Sequence, residues 1–308
     1  MLDLICYPVS AILWFWHKIF AFILHSPDSG IGWSLAVIFL VFTIRVALIR
    51  PFVKQMRTQR DMKKLQPQIE ELRRTHRGDR RKLAAKMQEL QRANGVNPML
   101  GCLPVLIQIP VFFGLYHVLR SFDQTAGGAY LPFFGSNPMT IEQNVDTPNY
   151  IFSASDVQSF LDAKLFGAPL SAMITMPGEQ LEAFGDVSRL AIALVAIPLM
   201  VAAAVATHIT ARANRARGAD ASDSPQSVLI NRLAVWAFPA GAIVGGPFLP
   251  IAILLYWLAN NCWTLAQQHI VLRRLDAEDA AAQAVVMKSV ETADRVRPDP
   301  GKGRRRKR

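Results

Sequence analysis

Charge is scarce in this 308-residue chain, where Asp, Glu, Lys and Arg make up 19% of residues against 51% hydrophobic ones. That excludes a chain disordered throughout and argues against an ordinary cytosolic enzyme. Cysteine is scarce too. Cys6, Cys102 and Cys262 stand far apart in apolar surroundings with no CxxC pair, so neither a disulfide framework nor a zinc site is implied. There is no GxxxxGK(S/T) loop, no HExxH and no GxSxG, and the six His do not cluster at ligand spacing. A repeated pair of broken helices, the sequence pointer to a secondary transporter, is missing as well. The chain therefore reads as a non-enzyme, and no cofactor or metal is expected.

What is present is long apolar runs with the charges gathered between them. A membrane-crossing helix needs about 20 mostly apolar residues. Residues 31–49, 98–119 and 190–208 qualify, and 2–24 nearly does. The block 233–272 is too long for one crossing, and GGPFLP at 245–250 divides it into a helical hairpin over 228–272. The first run differs from the others. His17 and Lys18 fall in its middle beside Trp14 and Trp16, and Pro8 interrupts its start. This fits a helix lying in the interface, or a tilted span whose Lys18 reaches the headgroups. The expected organisation is an N-terminal interfacial or membrane helix (1–30), a transmembrane helix (31–50), a polar helical hairpin (51–97) and a transmembrane helix (98–120). A long loop (121–187), a transmembrane helix (188–209), a short loop (210–227), the transmembrane hairpin (228–272) and a basic tail (273–308) follow.

The net charge of +11 matters less than its placement. Residues 51–97 carry 13 Lys/Arg against 5 Asp/Glu, and 122–187 carry one Lys against 8 Asp/Glu. Residues 209–227 carry Arg212, Arg215 and Arg217, and the tail after 272 carries 11 Lys/Arg. By the positive-inside rule, 51–97, 209–227 and the tail are expected in the cytoplasm and 122–187 outside. Within 53–94, Met56, Met62, Leu65, Ile69 and Leu72, then Leu83, Met87 and Leu90, recur at helical spacing around a turn at THRGD. Two antiparallel arms burying Leu65, Leu72, Leu83 and Leu90 are expected, with a kink at Pro67. Their basic surface, and the terminal GRRRKR, suit solubility and topology, or contact with anionic lipid or ribosomal RNA. The long loop reads as a packed lid or spacer with a short helix capped by Ser153 or Ser155.

One charge lies where charge is costly. Arg45 is five residues inward of Arg50 on the 31–50 helix, about 7.5 Å deeper. An arginine near a helix centre costs about 2.5–3.5 kcal/mol on insertion scales. Either it snorkels to the headgroups, or it faces a wet cavity between helices. Gln108, Thr207, Thr210, Asn260, Asn261, Thr264, Gln267 and Gln268 offer polar neighbours from the other spans, or serve interhelical hydrogen bonding. No carboxylate lies near Arg45 in the spans, so its charge would attract an acidic or polar stretch of another molecule.

Three stretches carry a specific pattern: IRVALIRPFVKQMRTQRDMKKLQPQIEELR at 44–73, GVNPMLGCLPVLIQIPVFFGLYHVL at 95–119, and LPIAILLYWLANNCWTLAQQHIV at 249–271. In order and spacing the chain resembles the YidC/Oxa family of membrane protein insertases, in its short bacterial form without the large periplasmic domain. The resemblance implies an all-α polytopic membrane protein of the bacterial plasma membrane. It also implies five core transmembrane helices around a hydrophilic groove, with an added N-terminal helix and a cytoplasmic helical hairpin. The family's groove arginine falls on Arg45, and two further groove positions fall on Thr210 and Trp257. Thr210 departs from the family's usual Gln. The expected client groove is Arg45, Gln108, Thr207, Thr210, Trp257, Asn260, Asn261 and Gln267. The implied partners are nascent membrane proteins, the ribosome and the Sec translocon. Anionic lipids and rRNA are added by the basic hairpin and tail. A small-solute channel or transporter, and a ribosome- or lipid-binding scaffold, are the alternative readings of the same residues.

Overall fold

A computed structural model describes residues 3–96, 103–124, 139–182, 184–218 and 225–296. Helix α1 (Asp3–Leu24) turns through 25–29 into α2 (Gly30–Ala47), where Ser29 caps the new helix by accepting from the Gly32 amide. The two pack together through aromatic side chains. Trp16 donates to Thr43 at 2.8 Å and lies 4.8 Å from Phe39, and Phe20 meets Phe39 edge-on. The other end of α1 lies against α6 (Leu103–Arg120), where a Cβ on Gly114 would meet Ile5 Cγ2 at 2.8 Å. Absence of a side chain at Gly114 is what permits that approach.

The polar hairpin is made of three helices, α3 (Ile49–Lys64), α4 (Gln66–Thr75) and α5 (Arg80–Ala93). Where a kink was expected at Pro67, the chain breaks at Leu65 and restarts with the proline in the first turn of α4, where a missing N–H costs nothing. Asp79 caps α5. The small core of the hairpin is Leu65, Ile69 and Val96, with Met62, Met87 and Leu90 against it. Leu72 and Leu83, expected inside, are only half-buried and lie outside that cluster. The chain leaving α5 supplies Val96 in their place.

Residues 139–187 form a packed segment. Helix α7 (Ile141–Val145) and helix α8 (Ala154–Asp162) each begin with a capping box, built on Thr140 with Gln143 and on Ser153 with Asp156. Strands β1 (Lys164–Leu165) and β2 (Ala168–Pro169) pair antiparallel, Leu165 opposite Ala168, and α9 (Gly178–Glu182) follows. The segment is tied to the helices around it. Asn144 and Asn149 donate to the carbonyls of Phe122 and Val118 at the end of α6, and Ser159 donates to Pro27. A Cβ at Gly30 would collide with the Lys164 carbonyl, so only glycine lets α2 start so close to β1.

The last helices are α10 (Arg189–Gly218), α11 (Pro225–Gly245) and α12 (Ile251–Val296), with a 3-10 turn at Gly246–Phe248 between α11 and α12. The Gly–Pro break was expected there. Helix α10 runs past the apolar stretch to Gly218, so the expected 210–227 loop is helical at its start. Helix α12 continues to Val296, which makes the first part of the expected tail helical; the terminal GRRRKR lies outside the described residues. Alanine-rich sequence with few breakers holds a helix whether or not lipid surrounds it. Alanines 203, 204 and 206 are buried on α10, and His208 Nδ1 lies 3.0 Å from the Val235 carbonyl of α11. Met1–Leu265 forms one compact unit and Ala266–Arg308 a second.

Among the described residues, three helices are long and apolar enough to cross a membrane: Asp3–Leu24, Gly30–Ala47 and Arg189–Ala213. Ile109–Arg120 and Val235–Phe248 are shorter apolar helical stretches. The start of α12 is diluted by Asn260, Asn261 and Thr264. Large apolar side chains of α10 and α11, among them Leu194, Val201, Trp236 and Phe238, point outward, as lipid-facing residues do.

Candidate functional site

The site is built where α2 faces α12. Both helices begin at the 139–187 segment. Helix α2 starts beside Lys164, and the first amides of α12, Ile251 and Ala252, donate to the carbonyls of Ala172 and Leu170 at 3.2 and 3.0 Å. Those bonds satisfy N–H groups that a helix start otherwise leaves open. The two helices then run in the same sense. Phe42 and Trp263, each twelve residues into its helix, meet at 5.0 Å between ring centroids.

Arg45 breaks that level pairing. It lies fifteen residues into α2, yet both its Nε and Nη2 donate to Asn260 Oδ1, nine residues into α12, at 3.0 and 2.6 Å. Six residues of rise is about 9 Å. The side chain therefore reaches back toward the start of α2, the direction in which helical side chains lean. It reaches away from Arg50, the opposite of the snorkelling anticipated as one alternative. Among the described residues, Asn260 is its only hydrogen-bond partner. That partner is a neutral amide, so the full positive charge is retained between the helices.

The other expected site residues behave differently. Thr207 and Thr210 donate to Ala203 and Ala206 on their own helix, and Asn261 donates to the Trp257 carbonyl at 2.9 Å. Such back-bonding lets a polar side chain satisfy itself without a neighbouring helix. Trp257 is half-buried, one turn before Asn261. Gln267 is buried and belongs to the second unit. The side chain of Gln108 lies outside the described residues. Among the described residues, no group of three or more His, Cys, Asp or Glu could hold a metal ion.

A second polar cluster was not foreseen. Lys18, expected to reach the headgroups if α1 spans, makes a 2.6 Å ion pair with Asp156 of α8. Burial raises the Asp156 carboxyl, but hydrogen bonds from Lys18 and Ser153 outweigh it and hold the group below its ordinary range. Beside it, the His17 ring stacks on Trp33 at 3.7 Å, and Trp33 Nε1 donates to Ser159 at 3.0 Å. Tyr7 meets Tyr150 edge-on at 5.2 Å, and burial together with a Cys6 hydrogen bond pushes the Tyr150 hydroxyl up. The sequence held two signals for this cluster. A lysine inside an apolar run needs a partner, and the long loop carries eight acids to one lysine.

Long apolar helices, a basic hairpin and an arginine held between two helices by a neutral amide define a multi-pass membrane protein. The 60Kd inner membrane protein family model matches residues 24–278. The chain is 50% identical over 301 residues to the membrane protein insertase YidC of Mycobacterium leprae, covering 97% of this chain and 77% of that one. It is 51% identical over 281 residues to the namesake of Mycobacterium tuberculosis (91% and 75%), and 35% identical to that of Corynebacterium efficiens (89% and 69%). The chain belongs to the YidC family of bacterial membrane protein insertases.

Proposed function

We propose that the protein integrates nascent membrane proteins into the bacterial plasma membrane through a hydrophilic groove between its helices. Family membership supports the activity, and one observation carries the mechanism: Arg45 is held between α2 and α12 with its charge uncompensated among the described residues. A client presents an apolar segment beside a polar tail. The tail meets water and the Arg45 charge partway across the bilayer, which shortens the apolar distance left to cross. The apolar segment moves into lipid, stabilised by about 25 cal/mol per Å² of apolar surface removed from water. No step calls for a nucleotide.

In this reading five helices surround the groove, and Gln108, Thr207, Thr210, Trp257 and Asn261 line it with Arg45 and Asn260. The 139–187 segment closes the outer side, which its bonds to the starts of α2 and α12 support. The hairpin, the 210–227 region and the tail lie in the cytoplasm. Their basic charge suits the ribosome and its RNA, anionic lipid and the Sec translocon as partners.

The test is insertion of single-span clients into vesicles containing purified variants at matched protein levels. Arg45→Ala should impair acidic-tailed clients, Arg45→Glu should impair them more, and Arg45→Lys should retain much of the activity. Equal insertion by the wild type, Ala and Glu proteins for every client would remove the groove-charge mechanism.

A further inference from the structure

An arginine at this depth has two routes, outward to the headgroups or into the helix layer, and the chain supplies the group that decides. We propose that Asn260 is the positioning residue for the groove charge. It fixes the guanidinium deep in the helix layer without neutralising it. The outer donors then remain available to a carboxylate or an unpaired backbone carbonyl of the client. The inference rests on the insertion reading above and adds to it the group that sets where the charge stands.

Three observations carry it. The first is geometric. One oxygen of Asn260 accepts from Nε and from Nη2 of Arg45, which grips one edge of a rigid planar group and sets its plane. A guanidinium has five N–H donors, so three remain, two of them on Nη1. Among the described residues those three have no acceptor. The second is directional. Asn260 stands six residues nearer its helix start than Arg45 does, so the grip turns the side chain back along α2, away from the level of Arg50 and its route to headgroups. The third is selective. Asn261 turns its amide to the carbonyl of Trp257, and Thr264 turns its hydroxyl to the carbonyl of Asn260. Of Asn260, Asn261 and Thr264, Asn260 is the side chain that crosses to α2. An aspartate there would hold Arg45 equally well but cancel its charge, and a leucine would leave it to relax outward to water.

Two measurements on the full chain in lipid nanodiscs and vesicles test this. The first follows hydrogen exchange of the Arg45 Nε–H by NMR on arginine-labelled protein, the signal being assigned by its loss in Arg45→Lys. It should be protected in wild type, Asn260→Gln and Asn260→Asp, and exposed in Asn260→Leu. The second measures insertion of acidic-tailed and neutral-tailed clients. Asn260→Leu and Asn260→Asp should each lower acidic-tailed insertion about tenfold, as expected for losing a charged hydrogen-bonding group or its charge. Neutral-tailed clients should change much less, and Asn260→Gln should rescue both. An Nε–H equally exposed in wild type and Asn260→Leu would overturn the anchoring. Full acidic-tailed insertion by Asn260→Asp would overturn the claim that a neutral anchor is required. If Arg45→Ala inserts every client normally, the groove-charge reading has failed, and exchange alone then decides whether Asn260 holds Arg45. Equal thermal midpoints among the variants separate these effects from misfolding.

Discussion

Trp33 shows how one residue joins distant parts of this chain. It is fully buried at the start of α2, with the rings of His17, Phe122, Phe152 and Phe160 within 6 Å and Ser159 accepting from its indole. Trp33→Ala should cost about 3–5 kcal/mol, as large core deletions do, read as a lowered thermal midpoint in detergent. Asp156 is the polar counterpart. Its folded-state pKa lies below its unfolded value, so its contribution is present above the unfolded value and is lost as pH falls through the folded one. Asp156→Asn should therefore lower stability at pH 7 by about 1.5–3 kcal/mol, the range for hydrogen bonds to charged groups. The gap to wild type should begin to narrow below about pH 4, the ordinary aspartate value, and vanish only below the lower folded-state value. A gap that does not narrow between pH 5 and pH 3 would mean that the ion pair is not the source. Arg45 was legible in the sequence because charge in an apolar run is rare. Its partner Asn260, 215 positions away, was legible only as a candidate among several amides.

At the scale of elements, periodicity carried the reading well where a helix has one apolar face, and poorly where the chain supplies the core from outside the helix. The polar hairpin shows both. Its arms were readable from Met62, Leu65, Ile69, Met87 and Leu90, but Val96, beyond the last helix, completes the cluster. Leu65→Asp or Ile69→Asp should detach α4 from α5. Hydrogen exchange over 66–93 should rise by orders of magnitude, since a buried unpaired charge removes most of so small a core's stability. The same change at Leu72 or Leu83, both half-buried, should matter far less. An equal response at all four positions would show that the arms pack along their whole length.

For the whole molecule, the charge asymmetry of the loops sets the expected topology. In a chain with its native cysteines replaced by alanine, Arg80→Cys and Pro300→Cys should react with an impermeant thiol reagent only after cells are opened. Thr140→Cys should react in intact cells. Reversal at any one position would overturn the orientation.

That this chain is helical, apolar and multi-pass, and which family it joins, is readable along the chain alone. Those properties follow from composition, 3.6-residue spacing and short contiguous motifs, all of which are local along the chain. Packing between distant segments supplied what local spacing cannot express. It set Lys18 on Asp156, made the 139–187 segment the common starting point of α2 and α12, and turned Arg45 back toward Asn260. A helix satisfies its own backbone, so its sequence declares its existence. A buried polar side chain is satisfied only by whichever group the fold brings within about 3 Å, and that distance exists only once distant segments have packed.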